Sequence, residues 1–245
     1  MPIAKAIILD YIGTLTSSRS YNMADSMSKL HSNLTEAGFR TEKAEFLRAY
    51  QVVHEKYRLV RYGELREVTN AVWVSETLCN LGFDVDVGDE RMNAALNVFF
   101  QDFIDSLELR PYAEKLLKKA TETCKLGLIS NFTYAPVVYA SLKKLGINHY
   151  FNSIVVSQEN GWRKPHPKIF ADMLQRVKVK PAEAVFIGDS PKEDIKGALK
   201  AGMKTVFVHS QFYGAGDLEV SGEKPHVVAK GLQEICDQFS EIVKV

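Results

Sequence analysis

Cysteine is scarce. The 245 residues hold three, Cys79, Cys124 and Cys236, and no two of them form a CxxC pair. That argues against a disulfide framework or a thiolate zinc site and suits a reducing compartment. An excess of one charge is also lacking: 31 Lys and Arg face 30 Asp and Glu, for a formal charge of +1. Such balance gives no support to a nucleic-acid or polybasic membrane partner. No apolar run approaches the ~18 residues of a membrane span. The opening residues, Met1-Pro2-Ile3-Ala4-Lys5, lead straight into a strand-like run, so no signal peptide is expected. These absences, with 46% hydrophobic and 25% charged residues, point to a soluble cytoplasmic globular protein. At ~150 residues per domain, the length suits one elaborated domain or two small ones.

What is present is a rhythm of short apolar runs. Ala6-Ile7-Ile8-Leu9 stops at Asp10 and meets the turn-like Gly13-Thr14, as expected of a strand buried on both faces. Similar runs recur at 125–129, 153–156, 184–187 and 205–208. Helix-length amphipathic stretches lie between them at 112–123, 135–145, 167–177 and 191–201, and 230–244 reads as a closing helix. Strands alternating with helices predict an α/β fold with a doubly wound parallel sheet. Residues 17–107 break the rhythm with four consecutive helical stretches, 21–37, 42–60, 65–81 and 89–106, punctuated by Gly38, Gly63 and Gly82. The expected organisation is a core domain (1–16 and 108–245) with a helical cap domain (17–107) inserted after the first strand. The glycine- and charge-rich stretch 213–224 reads as a surface loop.

In a doubly wound sheet, ligands bind beyond the carboxyl ends of the strands. Asp10 follows the first strand, Ser130 and Asn131 the second, and Arg163-Lys164-Pro165 falls in the loop after the third. Gly188-Asp189-Ser190 follows the fourth, with Asp194 five residues past Asp189. Any one such aspartate is readily a helix cap or turn former. Together, three carboxylates, a lysine and a small hydroxyl on one edge read as an anion and metal site. Hard oxygens suit Mg²⁺, which takes one or two carboxylates, waters and phosphate oxygens. Asp10 and Asp189 are the expected ligands, with Asp194 direct or one shell out. Lys164 would neutralise charge, Ser130 would donate to a phosphate oxygen, and Asp10 could attack phosphorus.

The segments Leu9-Asp10-Tyr11-Ile12-Gly13-Thr14-Leu15, Ile129-Ser130-Asn131, Arg163-Lys164-Pro165-His166-Pro167 and Ile187-Gly188-Asp189-Ser190 through Asp194 resemble, in order, the four motifs of the haloacid dehalogenase superfamily. The insert resembles that superfamily's C1-type helical cap, and the remainder its Rossmann-like core. The resemblance implies Asp10 as nucleophile, with Ser130 and Lys164 as its catalytic partners. It implies a Mg²⁺ site from Asp10, the Ile12 backbone carbonyl, Asp189 and Asp194. Thr14, Ser130, Asn131 and Lys164 would hold the substrate.

One position departs from the pattern. Most phosphatases of the superfamily carry a second aspartate two residues after the nucleophile, to protonate the leaving group and activate water. Ile12 stands there and transfers no proton. Such acid–base help is worth ~10²–10⁴ in rate. The leading expectation is a Mg²⁺-dependent phosphatase or phosphotransferase, slow for want of that aspartate, acting on a small phosphorylated molecule. A 2-haloacid dehalogenase-like enzyme, with Asp10 attacking carbon, is an alternative. So are a catalytically impaired binding or regulatory protein and a phosphonatase-like enzyme with Lys56 as the amine. A monomer or homodimer is expected, without nucleic-acid or membrane partners. Arg19, His54, Lys56, Arg58, Arg61 and Tyr62 are candidate cap contacts, though basic residues at helical spacing usually form a solvated face. His54 with Glu55 is a candidate substitute acid–base pair. Trp73 and Phe99-Phe100-Phe103 read as cap core, Trp162 as a cap-docking or substrate-edge residue and His166 as structural.

Overall fold

A computed structural model of the chain describes residues 3–244. In chain order its strands are β1 (Ala6–Leu9), β2 (Thr16–Ser18), β3 (Leu107–Leu109), β4 (Lys125–Ser130), β5 (Ser153–Val156), β6 (Ala184–Gly188), β7 (Lys204–Val208) and β8 (Val227–Ala229). The helices are α1 (Met23–Glu36), α2 (Lys43–Leu59), α3 (Asn70–Asn80), α4 (Glu90–Ser106), α5 (Ala113–Thr121), α6 (Ala135–Lys144), α7 (Ser157–Asn160), α8 (Pro167–Val177), α9 (Lys196–Lys200), α10 (Ala215–Ser221), α11 (Leu232–Asp237) and α12 (Phe239–Ile242).

Six strands form one parallel sheet in the order β5-β4-β1-β6-β7-β8. The fold is therefore the expected doubly wound α/β type. From β1 the chain builds outward through β4 and β5, then returns to β6 on the other side of β1. That reversal opens a crevice at the carboxyl ends of β1 and β6, the usual place for a ligand. Side-chain alternation explains why these strands are apolar throughout. Ile7 and Leu9 pack with α5, α6 and α11 on one face, while Ala6 and Ile8 pack with α8 and α9 on the other.

Helices α1–α4 carry their own apolar cluster, built on Leu30, Leu34, Phe46, Val74, Leu78, Leu96 and Phe100. Val137 of α6 joins it, so the insert rests on that helix of the core. Strands β2 and β3 pair antiparallel where the insert leaves and rejoins, with Thr16 opposite Leu109 and Ser18 opposite Leu107. Three residues per strand give too short a pattern to be read from sequence. No described helix is long and apolar enough to cross a membrane.

Four expectations need correction. The third insert helix starts at Asn70, not 65, because residues 65–67 bond to the core loop instead. Arg163 N donates to Leu65 O at 2.9 Å and Glu67 N to Gly161 O at 3.0 Å. The stretch 213–224 is not all loop: it holds α10, and Asp217 accepts from Gly214 N at its start. The closing segment breaks at Gln238 into α11 and α12. The stretch 191–201 begins as a wider helical turn, Pro191–Ile195, before α9.

Candidate active site

The register of the sheet assembles the site. Leu9 of β1 lies opposite Ile187 of β6, and Asp10 N donates to Ile187 O at 2.9 Å. Asp10 and Asp189 therefore leave adjacent strands side by side. Asp194 comes from the helical turn Pro191–Ile195, held by Ser190 N at 2.9 Å. Oxygens of Asp10, Asp189 and Asp194 lie within 4.8 Å of one another. Lys164 sits beneath them, 1% exposed, with Nζ 2.6 Å from Asp10 Oδ1 and 2.7 Å from Asp194 Oδ1. Its third contact is the Ile129 carbonyl at 3.0 Å.

Three carboxylates against one ammonium leave a buried negative excess. Burial and the charge of Asp10 push Asp189 up to about 7. Burial likewise holds Asp194 well above the usual carboxylate range, against the pull of Lys164. For Lys164 burial would lower the pKa, but Asp10 and Asp194 outweigh it and raise it. Asp10 Oδ2 and Asp189 Oδ2 are buried with no hydrogen-bond partner among the described residues. Buried polar atoms normally have partners. Two unpartnered hard oxygens beside a third carboxylate fit a small divalent cation such as Mg²⁺.

A cavity of about 510 Å³ opens over this cluster, lined by Asp10, Ile12, Ser130, Asn131, Asp189 and Asp194 together with Phe103, Phe132, Phe212 and Tyr213. Gly13 makes the tight turn beneath. Its φ is +101°, and a Cβ there would run into the Asp189 carboxylate. Ile12 is among the residues lining the cavity, and its side chain packs against the core.

The structure brings most of the sequence-predicted residues together but distributes them differently. Ser130 is 2% exposed and lines the cavity. Thr14 is fully buried, and its hydroxyl reaches Asp189 Oδ1 at 3.4 Å, so it orients a carboxylate. Asn131 clamps Lys164: Oδ1 accepts from Lys164 N at 2.8 Å and Nδ2 donates to Lys164 O at 3.0 Å. His54 and Glu55 do not form an acid–base pair at the site. His54 stacks on Tyr50 inside the insert, and Glu55 pairs with Arg58. Lys56 is bound to Glu76 and Tyr57 on the insert surface, away from the acids. Arg19 pairs with Glu108. Trp162 stacks on His166, whose Nδ1 caps α8.

Two residues not singled out from sequence support the site. Arg110 donates to the carbonyls of Gly13, Thr14 and His209, pinning the turn after β1. Glu67, in the insert, accepts from Arg61 at 2.8 Å and from Arg163 and Ser157, with its carboxylate fully buried. It ties the insert to the residue preceding Lys164.

The fold and site define an α/β enzyme with a buried acidic centre at the strand ends. The family model for haloacid dehalogenase-like hydrolases matches residues 4–202. The chain belongs to that family. Over 139 residues it is 34% identical to a glyceraldehyde 3-phosphate phosphatase of Methanopyrus kandleri, covering 56% of this chain and 59% of that protein. The chain thus spans less than two thirds of the length of that relative. Among solved structures, a 2-haloacid dehalogenase from Pseudomonas syringae pv. Tomato is similar with a TM-score of 0.66 and 21% identity, covering 98% of both chains. A HAD phosphatase from Thermococcus onnurineus is similar with a TM-score of 0.64 and 19% identity, covering 98% of this chain and 100% of that one. These likenesses are in fold.

Proposed function

We propose that this chain is a Mg²⁺-dependent phosphatase acting on a small phosphate monoester, with residues 17–107 as a cap over the site. The observation that carries this reading is the Asp10–Asp189–Asp194 cluster with two unpartnered buried oxygens and one buried lysine. Relatives named as glyceraldehyde 3-phosphate phosphatases support it.

Asp10 attacks phosphorus through a carboxylate oxygen, with Oδ1 held by Lys164. The bond to the leaving oxygen breaks, and its electron pair departs with that oxygen. Water then attacks phosphorus, the P–O bond to Asp10 breaks with its electron pair returning to the carboxylate, and the water's proton leaves with phosphate or to solvent. Asp10, Asp189 and Asp194 would hold Mg²⁺, with the Ile12 carbonyl completing the protein donors; when bound, it supplies the positive charge that the acids and the phosphate both need. Lys164 keeps Asp10 oriented. Ser130 lies on the wall where a phosphate oxygen would rest. Phe103 and Phe132 line the same cavity as the three acids.

The direct test is nitrophenolate release from p-nitrophenyl phosphate after rapid mixing. Release is expected with Mg²⁺ and is expected to vanish with EDTA. Equal release in both would sink the assignment. A second reading, displacement of halide from a 2-haloacid by Asp10, draws on the apolar Ile12 at the cavity wall. Halide release with EDTA present, without phosphate-ester cleavage, would put it first.

Stability offers an independent check. Asp189 binds its proton more tightly in the folded state than in the unfolded one, so cation-free protein is expected to lose stability as pH rises from about 4 to about 7. The penalty is fully present above the folded pKa. Urea unfolding in EDTA at pH 5 and pH 8 reads it, and Asp189→Asn is expected to remove that part of the slope. Mg²⁺ at pH 8 is expected to restore the wild type. A wild-type slope identical to that of Asp189→Asn would refute the charge account.

A further inference from the structure

One carboxylate of the insert reaches both loops that frame the acidic centre. Glu67 lies between α2 and α3, and its side chain is fully buried. Oε1 accepts from Arg61 Nε at 2.8 Å and from Val68 N at 3.2 Å, both within the insert. Oε2 accepts from Arg163 Nη1 at 2.7 Å and from Ser157 Oγ, both in the core. Ser157 Oγ in turn accepts from Phe132 N at 2.9 Å. Residues 163 and 132 are therefore held by the same oxygen. Each stands next to a residue of the site. Arg163 precedes Lys164, which pairs with Asp10, and Phe132 follows Asn131. Lys164 and Asn131 clamp each other.

These contacts close on themselves. From Glu67 the path runs through Arg163 to Lys164, across the clamp to Asn131, along the chain to Phe132, and through Ser157 back to Glu67. In a closed network no member shifts without straining several bonds at once. Backbone bonds strap residues 65–70 to the same two loops. Arg163 N donates to Leu65 O at 2.9 Å, Glu67 N to Gly161 O at 3.0 Å and Asn70 N to Thr133 O at 3.4 Å. Stability alone does not call for a carboxylate here. Desolvation offsets much of the attraction within a buried ion pair, and apolar side chains of similar volume commonly serve as well. What a carboxylate between a guanidinium and a hydroxyl supplies is direction.

We propose that Glu67 is a positioning residue for the chemistry at Asp10. By closing the ring it sets the Ser130–Asn131 loop against the Lys164 loop. It thereby fixes the Lys164 ammonium between Asp10, 2.6 Å away, and the Ile129 carbonyl, 3.0 Å away. The insert is thus part of the frame of the site and not only a cover. The reaction concerned rests on the phosphatase reading; the ring itself does not. Misplacing a reacting group by about 1 Å commonly costs on the order of 10²-fold in rate. The ring therefore bears on the rate of the first step and not on substrate affinity.

The test uses the full chain at saturating Mg²⁺, well below the melting temperature of each variant. Single-turnover nitrophenolate release, with enzyme in excess over p-nitrophenyl phosphate, reads the first step apart from any slow phase. Glu67→Gln replaces one acceptor oxygen with a donor. It is expected to slow that step by about 10- to 100-fold and to leave the half-saturating concentration within about threefold. Ser157→Ala opens the ring at one joint, keeps the Glu67–Arg163 pair, and is expected to slow the step by about three- to tenfold. Glu76→Gln breaks the Lys56 pair on the insert surface and is expected to leave the step unchanged. A second reading needs no activity. Glu67 and Asn131 share no hydrogen bond, yet in urea unfolding the double variant Glu67→Gln with Asn131→Ala is expected to depart from additivity by at least about fivefold in the unfolding constant. A folded Glu67→Gln whose first step lies within about twofold of the wild type overturns the positioning role. Equal slowing in Glu76→Gln also overturns it, because the loss is then one of general stability. So does a raised half-saturating concentration at unchanged rate, which moves Glu67 to binding. Additive unfolding overturns the ring. Where Glu67→Gln does not fold, Ser157→Ala takes its place in each reading. Coupled unfolding without nitrophenolate release by the wild type upholds the ring and removes the phosphatase reading.

Discussion

Asp10→Asn is expected to lower nitrophenolate release by on the order of 10⁴-fold or more, the usual consequence of deleting a covalent nucleophile. A carboxamide oxygen is a far weaker nucleophile than a carboxylate. The loss is expected without unfolding. Lys164 keeps Asp194 at 2.7 Å, so its charge does not become an unpaired buried one. The new amide oxygen still accepts a hydrogen bond from Lys164. One of three like charges disappears from a cluster whose oxygens lie within 4.8 Å, and that relieves repulsion. In EDTA the variant is therefore expected to melt at the wild-type temperature or above it. Two readings taken together are decisive: release at the limit of detection, and an unreduced melting temperature. Release persisting within about tenfold of the wild type would move the nucleophile away from Asp10.

The parts of this site legible in sequence are those that local pattern dictates. Asp10 and Asp189 each end a fully apolar run, so the sheet edge was the expected place for both. Lys164 carries no such local pattern. Its place in the loop after the third strand marks it as a candidate counter-charge and the family motif strengthens that reading, but its pairing with both Asp10 and Asp194 appears only in the folded chain. The supporting residues were hidden for a physical reason. Arg110 bonds to carbonyls 96 and 97 positions away, and Glu67 bonds to Arg163 across 96 positions. Neither pairing leaves a periodic trace. Arg61 illustrates the same limit. Its sequence spacing suggests a solvated helical face, yet it is 8% exposed because Glu67 neutralises it and Trp73 covers it. Likewise Trp73 and Phe99 were legible as apolar packing of the insert, but the cavity of about 250 Å³ that both line was not. Periodicity reports which face is buried and says nothing about whether that face is filled.

The Glu67 cluster bears on how the insert sits over the site. Its carboxylate lies between Arg61 of the insert and Arg163 of the core, both largely buried. Breaking a buried pair by removing one partner commonly costs about 3–5 kcal/mol, because a charge is left without compensation. Backbone bonds from residues 65 and 67 to the 161–163 loop reinforce the contact. The insert is thus fastened next to Lys164, while the β2–β3 ribbon forms its two-stranded attachment on the other side.

Ile12→Asp is expected to raise steady-state turnover by ~10²–10⁴, the usual worth of a positioned general acid–base. In the wild type, nitrophenolate is already a good leaving group, so the first step needs little acid. The second step needs an activated water, and Ile12 offers no base. The wild type is therefore expected to release a burst of one equivalent per site and then turn over slowly. In the variant the burst is expected to merge into a faster linear phase. Ile12 is among the residues lining the cavity and is partly buried against the core. Some packing against that core is lost, and a buried polar group commonly costs about 1–3 kcal/mol. A fourth carboxylate also adds to the repulsion around Asp189, so the gain is expected only at saturating Mg²⁺. At low Mg²⁺ the variant is expected to be less stable than the wild type. A folded, Mg²⁺-binding variant with the same burst and the same slow phase would show that position 12 does not face the water that breaks the acyl phosphate. The slow step would then belong to product release or to the fastened insert, and loosening Glu67 would become the change that accelerates it.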